Sequence, residues 1–284
     1  MIKTSIPPAF MSHPASPHMP SPLLTAAQTT APDNQARLDA PRGFALGVFI
    51  MALVITLSRE PGWLLDPRFW AEEGLVHFVN AFHNTALDGL IYVNVTGYLA
   101  LVPNLATVLA AKLLPLELAA YGTLTVSALI HAMPALIIAS ARLPGWSPGQ
   151  RLTLALATLL IGPSAESWLN TINSQFVLVV IAALLLITEH RQGWWRYGLC
   201  LTVPLASPVP AFLAPLFILR ACWRRERRAV IEAGCYLLGT LAAASIAVWY
   251  SQNHVQTEAV DRLGKDLLPD IIAIAHVLAV KTTG

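Results

Sequence analysis

Long apolar segments separated by short polar stretches run through the chain from residue 43 onward. They do not alternate with the period of two that strands of a transmembrane barrel show. They therefore predict helices, which satisfy their own backbone hydrogen bonds in lipid. The segments predicted to cross a membrane once are 43–58, 119–141, 152–161, 176–188 and 229–250. This pattern predicts an all-α, polytopic transmembrane protein.

Two further apolar segments, 97–114 and 197–219, are interrupted by proline. Three loops are basic, and they contain Arg142 and Arg151, Arg191 and Arg196, and five arginines between 220 and 228. If every apolar segment crossed, two of these loops would lie outside, against the positive-inside rule. If 97–114 is interfacial or re-entrant and 197–219 is a hairpin bent at 207–210, all three loops lie inside. We predict the second arrangement, with a cytoplasmic N-terminus.

The stretch 66–74, Asp-Pro-Arg-Phe-Trp-Ala-Glu-Glu-Gly, follows the first apolar segment and opens an amphipathic pattern. The apolar positions are Leu75, Phe78, Val79 and Phe82, and the polar positions between them are Glu73, His77, Asn80 and Asn84. Two faces over so short a length predict a helix that lies in the membrane surface, with its apolar face toward lipid.

Composition supports a membrane protein, because the chain is 55% hydrophobic and only 12% charged, whereas soluble domains are about 25% charged. A net charge of +2 gives no reason to expect nucleic acid as a partner. Residues 1–42 are rich in Pro, Ser, Ala and Thr and are predicted to be a disordered tail. Residues 43–284 form the predicted transmembrane domain. A last apolar run begins at 271, so we expect this domain to be incomplete at its C-terminus.

The predicted topology brings Glu72, Glu73 and Glu166 to one outer face. Paired carboxylates can hold a divalent cation such as Mg²⁺ or Mn²⁺, or one can act as a general base toward a hydroxyl group. Adjacent residues of a helix point about 100° apart. One of the pair is therefore predicted to face a cavity and the other the membrane surface. Asn170 and Asn173 would share a helix face with Glu166 if that segment were helical.

Simpler roles exist for several of these residues. Glutamates at a helix start complement the helix dipole. Trp63, Trp70 and Trp168 fit an interfacial aromatic belt, and His131 fits a histidine packed within its helix. The convergence of the acids on one face is what favours a functional site.

The stretch Trp70-Ala71-Glu72-Glu73-Gly74, the amphipathic helix after it, and Gly97-Tyr98-Leu99 with Pro103 resemble the first outer loop of GT-C-class polytopic glycosyltransferases. Bacterial members carry aspartate as the second acid, where this chain has Glu73. The stretch Glu166-Ser167-Trp168-Leu169-Asn170 resembles their second outer motif, and the proline-broken hairpin 205–215 is similar too.

The resemblance implies sugar transfer from a polyprenyl-phosphate donor, catalysed on the non-cytoplasmic face of a bacterial inner membrane. The catalytic residues would be Glu72, Glu73 and Glu166. The candidate substrate-binding residues are Arg68, His77, Asn170, Asn173 and Gln175. Glu72 and Glu73 would be the ligands if a divalent cation takes part. The cofactor stays open, since members of the class differ in metal dependence.

Two other classes of function fit the same pattern. A transporter or flippase also uses intramembrane acids and broken helices, although the broken segments do not recur at matching positions in two halves of the chain. A non-catalytic scaffold is the third alternative. Net uptake into vesicles would indicate the transporter, and sugar transfer would indicate the enzyme.

Overall fold

The computed structural model of the protein describes residues 41, 43–94, 97–141, 143, 145–160, 168–188 and 194–254. The predicted tail apart from Pro41, the candidate Glu166 and the apolar run from 271 lie outside these residues. The described part is helical and contains no strand, apart from an isolated bridge between Val93 and Leu99. The all-α prediction is therefore confirmed for the part of the chain that the structure describes.

Twelve α-helices, one π-helix and one 3₁₀ turn make up this part of the chain. In order they are α1 Phe44–Ser58, α2 Gly62–Leu65, the π-helix Glu73–Phe78, α3 Val79–His83, α4 Ala86–Leu90, α5 Leu101–Leu113, the 3₁₀ turn Leu116–Leu118, α6 Ala119–Ser140, α7 Pro148–Leu160, α8 Ser174–Ile187, α9 Trp194–Ala206, α10 Pro208–Ala211, α11 Ala214–Arg224 and α12 Arg227–His254.

Two segments in the described residues are long and apolar enough to cross a membrane. They are Leu116–Ser140, with 25 residues, and Arg227–Tyr250, with 24. The pair α9 and α10–α11 passes the same test together but is bent by 118°. The apolar helices α1, α5 and α8 are shorter. These helices indicate a membrane-associated protein with two or three candidate spans.

One end of the bundle gathers the C-termini of α1 and α7 and the N-terminus of α6. The Tyr121 hydroxyl donates to the Leu64 carbonyl (3.0 Å), and Arg59 donates to the Leu159 carbonyl (2.6 Å). Glu72 and Glu73 belong to this end, which we call the acidic end. The chain between Ser58 and Ala119 begins and ends here. Helix α5 therefore lies on a stretch of chain that leaves the acidic end and returns to it.

The opposite end, which we call the basic end, holds the C-termini of α6, α8 and α11 and the N-termini of α7, α9 and α12. Arg151 donates to the Ala141 carbonyl (3.3 Å), and Arg196 donates to the Leu185 carbonyl (2.5 Å). Arg220 of the third basic loop also donates to the Leu185 carbonyl (3.2 Å), so each of the three basic loops has an arginine at this end.

The proline-rich segment forms the predicted hairpin, with α9 entering from the basic end and α11 returning to it. At the tip, the Ser207 hydroxyl accepts from the Val209 amide and caps α10 (3.3 Å). Pro208 and Pro210 have no amide hydrogen, so α9 cannot continue through them. Helix α12 packs along both arms, and the Tyr236 hydroxyl donates to the Pro210 carbonyl (2.5 Å).

Candidate functional site

A cavity of about 210 Å³ lies where the acidic-end segments meet the tip of the hairpin. Glu72 and His77 line it from the π-helical segment, Tyr98 from the loop before α5, Gln175 from the start of α8, and Ser207 from the hairpin tip. The Ser207 hydroxyl donates to the Gln175 side-chain oxygen (3.3 Å). The cavity thus brings together three of the predicted site residues, Glu72, His77 and Gln175.

The segment that carries Glu72 and His77 has an unusual backbone. Ala71 adopts a positive φ of 33°, and residues 73–78 form a π-helix, a feature frequent at functional sites. The predicted amphipathic helix exists, but the first two positions of its polar face are turned into the protein, whereas Asn84 is exposed. Glu73 and His77 are each 3% exposed, whereas Leu75 is 80% exposed.

Phe78 does not follow the predicted pattern, because it is buried rather than lipid-facing. Its ring packs against Phe69 with centroids 4.5 Å apart. The wider π-helical turn rotates the later positions away from the spacing of an α-helix, which explains why the apolar stripe is not continuous. Val79 and Phe82 remain exposed.

Glu73 is held inside the protein by donors from three elements. Its carboxylate accepts from the Thr171 amide (3.0 Å), from the Thr171 hydroxyl and from the Trp70 amide (3.2 Å), and Thr123 contributes a further side-chain hydrogen bond. Burial raises the pKa of the Glu73 carboxyl above its ordinary value, although these hydrogen bonds oppose the rise. Glu73 therefore joins the π-helix to the segment before α8.

Glu72 is exposed and lines the cavity. The two carboxylates therefore diverge as predicted, and one of them faces the cavity. The expectation that the other faces the membrane surface is wrong. Glu73 points into the protein instead, because Thr171 and Thr123 supply donors there.

The glutamate pair does not fit a divalent cation. Both oxygens of Glu73 already accept hydrogen bonds, and Glu72 points away from them. Among the described residues, no group of three His, Cys, Asp or Glu side chains is placed to hold a metal ion.

His77 is fixed by Asn104, a buried polar residue of α5. Its Nδ1 lies 2.7 Å from the Asn104 Oδ1, and its ring meets the Tyr92 ring edge-on with centroids 5.7 Å apart. Burial lowers the pKa of His77 below 6.5, while the bond to Asn104 and the charge of Glu72 oppose that shift. Burial therefore favours the neutral form of the imidazole.

Arg68 lies outside the cavity. It borders a separate depression with Glu60, Trp63 and Asp66, and its guanidinium lies 5.4 Å from the centre of the Trp63 ring. The structure therefore does not bring this predicted substrate-binding residue to Glu72.

Asn170 and Asn173 do not share a helix face, because α8 begins only at Ser174. The Asn170 Oδ1 accepts from the Asn173 amide (2.8 Å) and shapes the turn before α8. Neither residue lines the cavity. Glu166, the third predicted catalytic acid, lies outside the described residues.

The prediction that Trp168 belongs to an interfacial aromatic belt is wrong, because its side chain is buried and only 5% exposed. Its indole donates to the Thr56 carbonyl (3.1 Å), and Arg59 covers its ring at 4.1 Å. His131 packs against the same ring with centroids 5.0 Å apart, which confirms the prediction of a packed histidine. This cluster joins α1, α6 and the segment before α8.

Sequence reasoning did not identify Asn104 or Thr171 as part of the site. Asn104 gave a signal, because a polar side chain inside an apolar segment needs a partner, but that signal did not point to His77. Thr171 gave no such signal, since its contact with Glu73 spans 98 residues of sequence.

Searches of protein-family models, curated proteins and solved structures found no match to the chain.

The arrangement suits a polar ligand that reaches the site beside lipid. One carboxylate, one imidazole, two side-chain amides and hydroxyl groups line the cavity, and apolar side chains are exposed on the other side of the same segment. Such a set can accept protons from hydroxyl groups and stabilise positive charge.

Proposed function

We propose that the chain is a GT-C-class membrane glycosyltransferase. It would transfer a sugar from a polyprenyl-phosphate donor to a hydroxyl acceptor on the non-cytoplasmic face of a bacterial inner membrane. The observation that carries the proposal is the exposed Glu72 carboxylate in a cavity closed by the tip of a hairpin that enters from the opposite end.

The position of the cavity along α12 suits a donor whose lipid stays in the bilayer. Gly239 of α12 lies against the hairpin arm α9, and Tyr250 meets Tyr92 near the cavity with ring centroids 5.9 Å apart. The cavity therefore lies beside the second half of the candidate span Arg227–Tyr250. A sugar there would remain attached to a lipid alongside the helix.

The size of the cavity suits a single sugar ring. Sites for drug-sized ligands occupy about 300–1,000 Å³, whereas this cavity has about 210 Å³. The polyprenyl chain would lie outside the cavity, against exposed apolar side chains such as Leu75, Val79 and Phe82.

In this proposal Glu72 supplies the negative charge at the reacting centre and Glu73 holds the segment in place. Glu72 faces the positive charge that develops on the sugar as the bond to phosphate breaks. A charge that is already oriented toward the reacting centre stabilises the transition state without further reorganisation.

The proposal is tested by measuring sugar transfer in proteoliposomes. The protein would be given radiolabelled polyprenyl-phosphate hexoses and pentoses, together with membrane extracts as the source of acceptor. We expect transfer by the unmodified protein. The control variant Glu117→Gln should also transfer sugar, because Glu117 is an exposed acid at the same end that does not line the cavity. We expect Glu72→Gln to lose about 10²-fold in rate. Absence of transfer by the unmodified protein contradicts the proposal.

The second candidate is a transporter or flippase, and the hairpin is the observation that favours it. Broken helices that meet at a polar cavity are typical of transporter binding sites. The same vesicles distinguish the two functions, because a flippase moves a labelled lipid-linked sugar between leaflets without forming a new glycosidic bond. Neither activity, with retained binding of a partner protein, would indicate a scaffold.

A further inference from the structure

The orientation of the Asn104 side-chain amide is determined by its neighbours. Its nitrogen lies 3.0 Å from the Leu90 carbonyl oxygen and 2.7 Å from the Tyr92 carbonyl oxygen. Carbonyl oxygens only accept hydrogen bonds, so the group that faces them must be the NH₂. The amide oxygen therefore faces His77.

This orientation in turn determines the tautomer of His77. The Asn104 Oδ1 can only accept, so the His77 Nδ1 at 2.7 Å must carry the hydrogen. In a neutral imidazole the other ring nitrogen then has the free lone pair. Within the part of the chain that the structure describes, the hydrogen bond of His77 is formed through Nδ1 and not through Nε2, and His77 lines the cavity.

We propose that the Nε2 atom of His77 is the proton acceptor of the cavity and takes the proton of an attacking hydroxyl group, with Glu72 as the counter-charge and Asn104 as the positioning residue. This inference rests on the proposed function and deepens it, because it moves the role of general base from the glutamates to the histidine.

In the reaction step, the O–H bond of the acceptor breaks and its proton passes to Nε2. The hydroxyl oxygen bonds to the anomeric carbon, and the bond from that carbon to the phosphate oxygen breaks. The electron pair leaves with the polyprenyl phosphate. The imidazolium that forms is stabilised by the Glu72 carboxylate and returns its proton to water or to the departing phosphate.

The titratable groups near His77 are few. Glu72 lies on its own segment, and Tyr92 and Tyr98 approach from the loop between α4 and α5. Helix α5 contributes the Asn104 amide and α8 the Gln175 amide, neither of which titrates. Glu72 is therefore the group whose removal should change the proton affinity of His77.

The first test reads the tautomer directly and does not depend on activity. Protein labelled with ¹⁵N-histidine is examined by NMR in detergent micelles, and the His77 signals are assigned by their loss in His77→Gln. We expect a protonated Nδ1 and an unprotonated Nε2. Glu72→Gln should lower the pKa of His77 in the same titration, and Glu117→Gln should leave it unchanged. A protonated Nε2 overturns the inference.

The second test measures sugar transfer as a function of pH. His77→Gln should reduce the rate by about 10²–10⁴-fold. The acid limb of the wild-type profile should lie below pH 6.5 and move to lower pH in Glu72→Gln. Full transfer by His77→Gln, or an acid limb that does not move, overturns the inference.

The two tests separate failure of the inference from failure of the proposed function. A wild-type protein that transfers no sugar overturns the proposed function and with it the catalytic role of His77. The tautomer is still decided by NMR. Transfer that depends on Glu72 but not on His77 supports the function and overturns the inference.

Discussion

Arg196 and Arg220 lie at opposite ends of the bent pair formed by α9 and α11, yet both guanidinium groups bind the carboxylate of Glu232. Each forms an N···O contact of 2.8 Å with it. The segment between the two arginines must therefore return to the end of the bundle from which it starts. This relationship makes the pair a hairpin rather than a single bent crossing, and it sets the position of the tip at the cavity.

Loss of the Glu232 carboxylate should release the base of the hairpin. In Glu232→Ala both arginines, which are largely buried, lose their counter-charge, and breaking a buried ion pair typically costs about 3–5 kcal/mol. We expect a strongly lowered unfolding temperature in detergent, measured by circular dichroism. Glu226→Ala is the matched control, because Glu226 is exposed just before the same helix. Equal unfolding temperatures for both variants would show that the three charges do not stabilise the hairpin.

Close packing between α9 and α12 depends on the absence of a side chain at Gly239. A Cβ at this position would lie 2.2 Å from the Leu201 carbonyl oxygen and 2.8 Å from the Pro204 side chain. Gly239→Ala should therefore separate the helices and destabilise the protein by about 1–3 kcal/mol. Gly234→Ala in the same helix meets no described atom within 4 Å and should be neutral or stabilising. Comparable unfolding curves for the two variants would contradict the packing described.

Labelling of single cysteines tests the assignment of the bundle ends to the two sides of a membrane. In a background without Cys200, Cys222 and Cys235, we expect cysteines at Leu87 and Glu117 to react with an impermeant thiol reagent in intact cells. Cysteines at Gln150 and Glu226 should react only after permeabilisation. All four positions are exposed. Opposite reactivity of positions 87 and 117 would show that α5 crosses the membrane.

Replacing Glu73 with Gln should lower the stability of the protein, whereas replacing Glu72 with Gln should not. In Glu73→Gln the oxygen can still accept from Thr171, but the new NH₂ group faces the Trp70 amide, which is also a donor. An unsatisfied buried donor costs about 1–3 kcal/mol. Glu72→Gln should unfold like the wild type, since Glu72 is exposed.

The pH dependence of this difference follows from the raised pKa of Glu73. The folded protein holds the carboxyl proton more tightly than the unfolded chain, whose ordinary value is 4.5. The part of the stability that comes from tighter proton binding at Glu73 is therefore complete below pH 4.5 and is lost as the pH rises through the folded-state pKa. The gap in stability between wild type and Glu73→Gln should narrow over that range. A gap that widens with pH would indicate a lowered pKa instead.

The hairpin and the grouping of basic residues at one end were predictable, because proline and arginine positions restrict topology strongly. The directions of Glu72 and Glu73 were predictable only in part. Adjacent helical residues must diverge, but which of them turns inward depends on Thr171, a partner far away in the sequence. The π-helix was not predictable, because spacing at i, i+3 and i+4 fits an ordinary α-helix equally well.

The burial of Trp168 shows a second limit of sequence reasoning. A tryptophan beside an apolar segment is typical of a membrane interface, and only the contacts with Thr56 and Arg59 distinguish a buried residue from an interfacial one. Asn104 gave a stronger signal, since a buried amide must satisfy its donors and its acceptor. The three partners of its side-chain amide depend on how α5 packs against the π-helix and the loop before α5.

The central claim, that the cavity at Glu72 is a site of sugar transfer, is tested most directly by comparing two matched variants in one assay. Proteoliposomes containing wild type, Glu72→Gln or Glu117→Gln receive a radiolabelled polyprenyl-phosphate sugar, and the initial rate of label transfer to acceptor is measured. We predict wild-type rates for Glu117→Gln and a loss of about 10²-fold for Glu72→Gln, with both proteins folded and equally abundant. Equal rates of transfer in the two variants, or no transfer by the wild type, would contradict the claim.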